Sequence, residues 1–140
     1  MTMSPSVLAL VGYVAWTILL LTAIVFYRTV LVLKKERAAN EFLPSGEDVS
    51  PFSNRLCRAH ANCYENLAVF AALILLALVT GNASITDPLA RWVLVARVAQ
   101  STVHLISTSE MAVSLRAALL LVQLGIEAYW VVQLGLLGFG

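Results

Sequence analysis

Four long apolar stretches, separated by polar breaks, organise the chain. Val7 to Leu33 is long enough to span a bilayer with some tilt. Asn66 to Thr80 alone falls short of the roughly 20 residues that cross a bilayer core. The helical segment ahead of it, which carries polar residues on one side, extends it. Leu89 to Ile106 and Met111 to Leu137 complete the set. The pattern predicts an all-α, integral membrane four-helix bundle forming one domain over 1–140. The expected spans are about 7–33, 56–80, 88–106 and 112–137, with a polar loop over about 34–55.

Composition agrees with this pattern. Hydrophobic residues make up 60% of the chain and charged residues 12%, about half the charge of a soluble domain. No soluble core is left over. The first apolar run exceeds the core of a cleaved signal, and no Lys or Arg precedes it, so it is expected to stay in the mature protein. A net charge of +1 gives no reason to expect a nucleic-acid partner.

The basic residues set an expected orientation. Lys34, Lys35, Arg37, Arg55 and Arg58 lie in or beside the first loop, and Arg116 follows the third. Arg91 alone lies on the opposite side. The 34–55 loop is therefore expected to be cytoplasmic and both termini non-cytoplasmic. Pro44, Gly46 and Pro51 break helices there, and Ser53 or Asn54 is the expected cap of the next helix. Gly81 to Pro88 reads as a tight turn on the far side. It contains the glycosylation-type tripeptide Asn82-Ala-Ser84, which matters only in a secretory compartment. Tyr13, Trp16 and Tyr27 on the first span fit interfacial belts.

Polar residues inside the spans fall on narrow lines. Arg58, Asn62 and Glu65 are spaced i, i+4, i+7, which at about 100° per residue puts them on one helical face. Arg97, Ser101 and His104 repeat that spacing. Arg116, Gln123 and Glu127 lie within about 20° of one line. Such groups are costly in hydrocarbon unless paired or used. Some internal Arg–Glu pairing through Glu65 or Glu127 is expected. The cations also suit an anionic ligand, because Arg grips carboxylates bidentately. A small, multiply charged peptide would match several Arg, an Asn and a Glu. Arg28, about one turn inside the boundary, either snorkels or points inward at an anion.

The remaining candidates carry less. His60 is about 200° from Arg58 and faces away from the stripe. Cys57 and Cys63 are rotated about 240° from each other on one helix and read as small buried residues. No metal site is expected.

The segment Arg58-Ala-His-Ala-Asn-Cys-Tyr-Glu65-Asn-Leu resembles the signature of the MAPEG family, the membrane-associated proteins of eicosanoid and glutathione metabolism. That signature is roughly Arg-Ala-x-x-Asn-x-x-Glu at the start of the second span. Arg97-Val-Ala-Gln-Ser-Thr-Val-His104-Leu is similar to the family's third-span element, and Arg116 matches at the start of the fourth. The resemblance covers essentially the whole chain.

It implies a homotrimer of four-helix subunits that binds glutathione between neighbours near the cytoplasmic side. Arg58, Asn62 and Glu65 match positions that hold glutathione, and Arg97 matches a contributor to the same pocket. Arg116 matches the residue that stabilises the glutathione thiolate, with His104 or Ser101 expected to assist; Arg28 is a further binding candidate from its depth in the first span, not from the resemblance. The implied function is a glutathione transferase or glutathione-dependent peroxidase acting on a lipophilic small molecule from the surrounding membrane lipids. The family often carries Tyr where this chain has His104, and the spacing from His104 to Arg116 is longer than in some members. The alternative is a non-catalytic lipid-binding or scaffold protein of the same fold. A small transporter fits less well, since no inverted repeat is present. Short loops lean toward a bacterial inner membrane, with the endoplasmic reticulum as the other location.

Overall fold

Four helices account for most of the chain. The computed structural model describes residues 2–140, and no strand occurs among them. The helices are α1 (Pro5–Leu33), α2 (Pro51–Val79), α3 (Ala83–Ile106) and α4 (Glu110–Leu137).

Helix starts follow local chemistry. Ser4 and Ser50 cap α1 and α2, each followed by proline. A serine oxygen satisfies an orphan amide, and proline at the first helical position has no amide to lose. Pro51 therefore starts α2 rather than ending the loop. The cap is Ser50, accepting from the Ser53 amide at 3.0 Å, not Ser53 or Asn54. Ser109 caps α4. The far-side turn is also shorter than expected. Only Thr80 to Asn82 lie outside the helices, Gly81 at φ +73° makes the reversal, and α3 runs through Pro88.

Helix α3 packs against the other three helices, while the backbones of α1 and α4 stay apart. Small residues line the contacts. Ala9, Ala59, Cys63, Ala77 and Ala90 are buried, which lets backbones approach closely in the absence of a hydrophobic drive between helices. Gly12 of α1 is one such approach, since a Cβ there would lie 2.7 Å from Leu94 Cδ2. The aromatic centre is Phe70, stacked on Tyr13 at 5.1 Å and lying 6.1 Å from Trp130. Tyr13 is fully buried and so is no part of an interfacial belt.

Helices α1, α2 and α4 are long and apolar enough to cross a membrane, and their outer faces expose Ile18, Leu75 and Val131. Helix α3 falls short of that apolarity on its own. Its polar residues Thr86, Arg97, Gln100, Ser101 and His104 are instead buried among the other helices. At 24 residues it is still about 36 Å long, enough for a core of about 30 Å.

The 34–50 loop is folded back on the bundle. Arg37 pairs with Asp48, and Phe42 lies under both Arg28 (5.2 Å) and Arg37 (5.8 Å).

Candidate functional site

The ends of α2, α3 and α4 that meet beside the 34–50 loop bring the candidate side chains together. His104, in the last turn of α3, is 4% exposed. Its Nδ1 lies 3.4 Å from Asn62 Nδ2 of α2. An amide NH2 only donates, so Nδ1 is the acceptor and the ring proton sits on Nε2. Arg116, Arg58 and Arg55 all lie close enough to act electrostatically on this ring. Arg55 also donates from Nε to the Leu105 carbonyl at 3.0 Å, closing the end of α3. By sequence alone Arg55 counts only as a charge at the edge of the loop. Its place is set by the first turns of α2, which begin earlier than expected.

Among the described residues these cations have no acidic partner within 4.0 Å. Among the described residues, the one ion pair within 4.0 Å is Arg37–Asp48. Arg116 Nε is buried without a hydrogen-bond partner. Arg58 is exposed and Asn62 half-buried. Three cations at one end of the bundle, Arg116 with an unpartnered donor, suit a carboxylate-bearing or thiolate-bearing ligand.

Two expected residues lie deeper on the same line of α3. Ser101 is buried and donates to the Arg97 carbonyl at 3.0 Å, with its oxygen 3.3 Å from Cys63 Sγ. Arg97 is 1% exposed, its guanidinium 5.8 Å from the centre of the Tyr13 ring. Glu65 is exposed and takes part in no ion pair among the described residues.

Arg28 is not brought to this cluster. It donates to the Leu43 carbonyl at 2.9 Å and to Cys57 Sγ at 3.7 Å. It shares a groove of about 240 Å³ with Pro44, Cys57, His60 and Tyr64, on a different face of α2. His60 faces away from the stripe, as its helical angle requires, and packs on Tyr64 at 5.1 Å. Both cysteines are buried and free, and no metal-binding group of His, Cys, Asp or Glu occurs among the described residues. A groove of about 590 Å³ opens at the opposite end, between α2 and α4, and holds none of the candidate residues.

The family model described as the MAPEG family matches residues 6–136, nearly the whole chain. The chain belongs to the MAPEG family. This is a membrane family associated with glutathione and eicosanoid metabolism, in keeping with the apolar spans and the cation cluster. No curated protein and no solved structure matches the chain. The MAPEG match runs through α2, α3 and α4, so Arg58, Asn62, Glu65, Arg97, His104 and Arg116 all lie within it.

Proposed function

We propose that this MAPEG protein is a homotrimeric membrane glutathione transferase or glutathione-dependent peroxidase acting on a lipophilic electrophile. One observation supports the reading above the others. Arg55, Arg58 and Arg116 lie near enough to His104, at one end of the bundle, to act on it electrostatically, with no carboxylate in ion-pair reach among the described residues. In this reading that end is cytoplasmic, in keeping with its Lys and Arg content, and a neighbouring copy closes the exposed stripe.

Arg58, Asn62 and Glu65 hold the peptide, the acidic side chain meeting its ammonium group. Arg116 stabilises the thiolate, since a nearby cation lowers a thiol's pKa from its usual value near 8.5. His104 donates from Nε2. Ser101 and Arg97 support the pocket from below, their polar atoms being buried in the core. In conjugation the thiol proton leaves to solvent, sulfur forms a C–S bond, and the leaving group departs with its electron pair. In reduction of a hydroperoxide the thiolate sulfur takes the terminal oxygen as the O–O bond breaks, the alkoxide leaves and is protonated to the alcohol, and a second glutathione thiol displaces water from the resulting sulfenic acid to form the disulfide.

The test is calorimetric titration of glutathione into detergent-purified protein, repeated with Arg58→Ala, alongside turnover of a chloronitrobenzene-type electrophile by Arg116→Ala. Binding is expected in the parent, weakened by Arg58→Ala, with turnover lost in Arg116→Ala. No binding in the parent would sink the reading. A second reading, a non-catalytic lipid-binding member, is favoured by His104 standing where the family often has Tyr. It predicts hydrophobic ligand binding without turnover.

A further inference from the structure

We propose that Glu127 is the counter-charge of Arg97, joined to it through bound water, and that the pair is a positioning device that fixes the rotation of α3 bringing His104 against Asn62. The positioning half rests on the site reading above, while the pairing half stands alone.

The register of α3 and α4 carries the pairing. The helices are joined by Ser107 to Ser109 and run antiparallel. Gln123 donates to Gln100 Oε1 at 2.8 Å, in a buried bond that marks one level of the interface. One turn deeper, α3 presents Arg97, three residues before Gln100. At the same depth α4 presents Glu127, four residues after Gln123. Residues three or four apart share a face, so the two charges project toward each other across the same seam. They are 1% and 6% exposed and are coupled electrostatically, yet they are more than 4.0 Å apart, since no ion pair joins them. Arg97 Nε and Nη1 are both buried without hydrogen-bond partners. Two opposite buried charges, a gap wider than contact and unpartnered donors on Arg97 describe a water-bridged pair. Neither charge is tolerable alone at this depth.

The positioning follows from what else Arg97 touches. Its guanidinium lies over Tyr13 of α1, and its carbonyl receives the Ser101 hydroxyl, whose oxygen lies against Cys63 of α2. With Glu127 on α4, the level of Arg97 ties α3 to all three neighbours. His104 is seven residues further along, about 10 Å higher, on the same line. A rotation of α3 at Arg97 therefore carries His104 away from Asn62. That depth also makes Arg97 a support of the site rather than a contact of the peptide.

Infrared difference spectra of the purified full-length protein test the pairing. Parent minus Glu127→Gln should show an ionised carboxylate band, and the same subtraction in an Arg97→Gln background should show a protonated carboxyl band in its place. An unchanged band, or a protonated carboxyl in the parent, overturns the pairing. For positioning, Glu127→Gln should shift the His104 imidazole NMR signals and weaken glutathione binding roughly tenfold, and Glu127→Asp should restore most of both. Unmoved His104 signals overturn the positioning. If the single variants fail to fold, Arg97→Met/Glu127→Leu removes both charges together: parent minus this variant should still show an ionised carboxylate band and its His104 signals should still shift, and the absence of either overturns that half of the proposal. A parent that binds no glutathione overturns the site reading, while the spectra still decide this one.

Discussion

The Tyr13 hydroxyl donates to the backbone carbonyl of Cys63 at 3.2 Å, fastening α1 to α2 at the depth where Ser101 of α3 meets Cys63 Sγ. The ring also stacks on Phe70. Tyr13→Phe removes the hydrogen bond and keeps the stack, so it should cost about 1 kcal/mol. Tyr13→Ala loses both and should cost about 3–5 kcal/mol. Denaturation in detergent micelles measures each. Equal costs would mean that the hydroxyl, not the ring, secures this junction.

Gly46 holds the 34–50 loop against the first turns of α2. Its φ is +69°, and a Cβ there would lie 2.6 Å from Ser53 Oγ and 2.8 Å from both the Ser53 carbonyl oxygen and Cys57 Sγ. Gly46→Ala combines a left-handed backbone with a clash against backbone, so it should destabilise by more than the roughly 1 kcal/mol of the strain alone. The loop should become susceptible to limited proteolysis while the helical circular dichroism signal stays unchanged.

Acid should loosen the same loop. Burial alone would raise the Asp48 carboxyl, but hydrogen bonds from the Leu43 amide and its own amide, together with Arg37, outweigh it and hold the group below the usual carboxylate range. A depressed folded value contributes stability above the unfolded pKa, near 4, that is lost as pH falls through the folded value. The protection factor of the Leu43 amide against hydrogen exchange should therefore be flat near neutrality and fall below about pH 4. Asp48→Asn should remove that step. A step that survives in Asp48→Asn would assign it to another carboxyl.

Periodicity exposed the buried polar lines of α3 and α4. Arg97, Ser101, His104, Gln123 and Glu127 are all enclosed, because a polar group on an otherwise lipid-facing helix has nowhere else to go. It was less telling for α2. Asn62 turns inward to His104, but Arg58 and Glu65 at the ends of the same stripe are exposed, since a stripe fixes direction and not what covers it. Tyr13 and Arg28 depended on partners far away in sequence. The carbonyl that takes up Tyr13 and the loop carbonyl that takes up Arg28 leave no trace in local spacing. The Gln100–Gln123 bond was hidden similarly, because only Gln123 fell on a line that spacing had marked.

That glutamine pair gives a clean test of buried polar coupling. Gln123→Leu leaves Gln100 unsatisfied and should cost about 1–3 kcal/mol, as should Gln100→Leu. The double variant should cost much less than the sum, because neither partner is then left unpaired. Additive losses in a double-mutant cycle would show that the bond does not couple α3 to α4.

His104 decides between the catalytic and non-catalytic readings. Asn62 occupies Nδ1, which leaves the Nε2 proton free to meet a developing thiolate. His104→Phe removes that donor, and a lost bond to a charged group corresponds to about a ten- to hundredfold fall in kcat/KM. His104→Tyr returns a hydroxyl donor of the kind the family often carries and should keep turnover within a few-fold of the parent. Asn62→Ala leaves the donor present but the ring untethered, so its loss in kcat at saturating glutathione, where lost peptide binding no longer counts, should fall between the two. The order to look for in steady-state assays is parent and Tyr together, then Asn62→Ala, then Phe. If His104→Phe turns over as fast as the parent, the imidazole is not the donor, and Arg116 stabilises the thiolate without it.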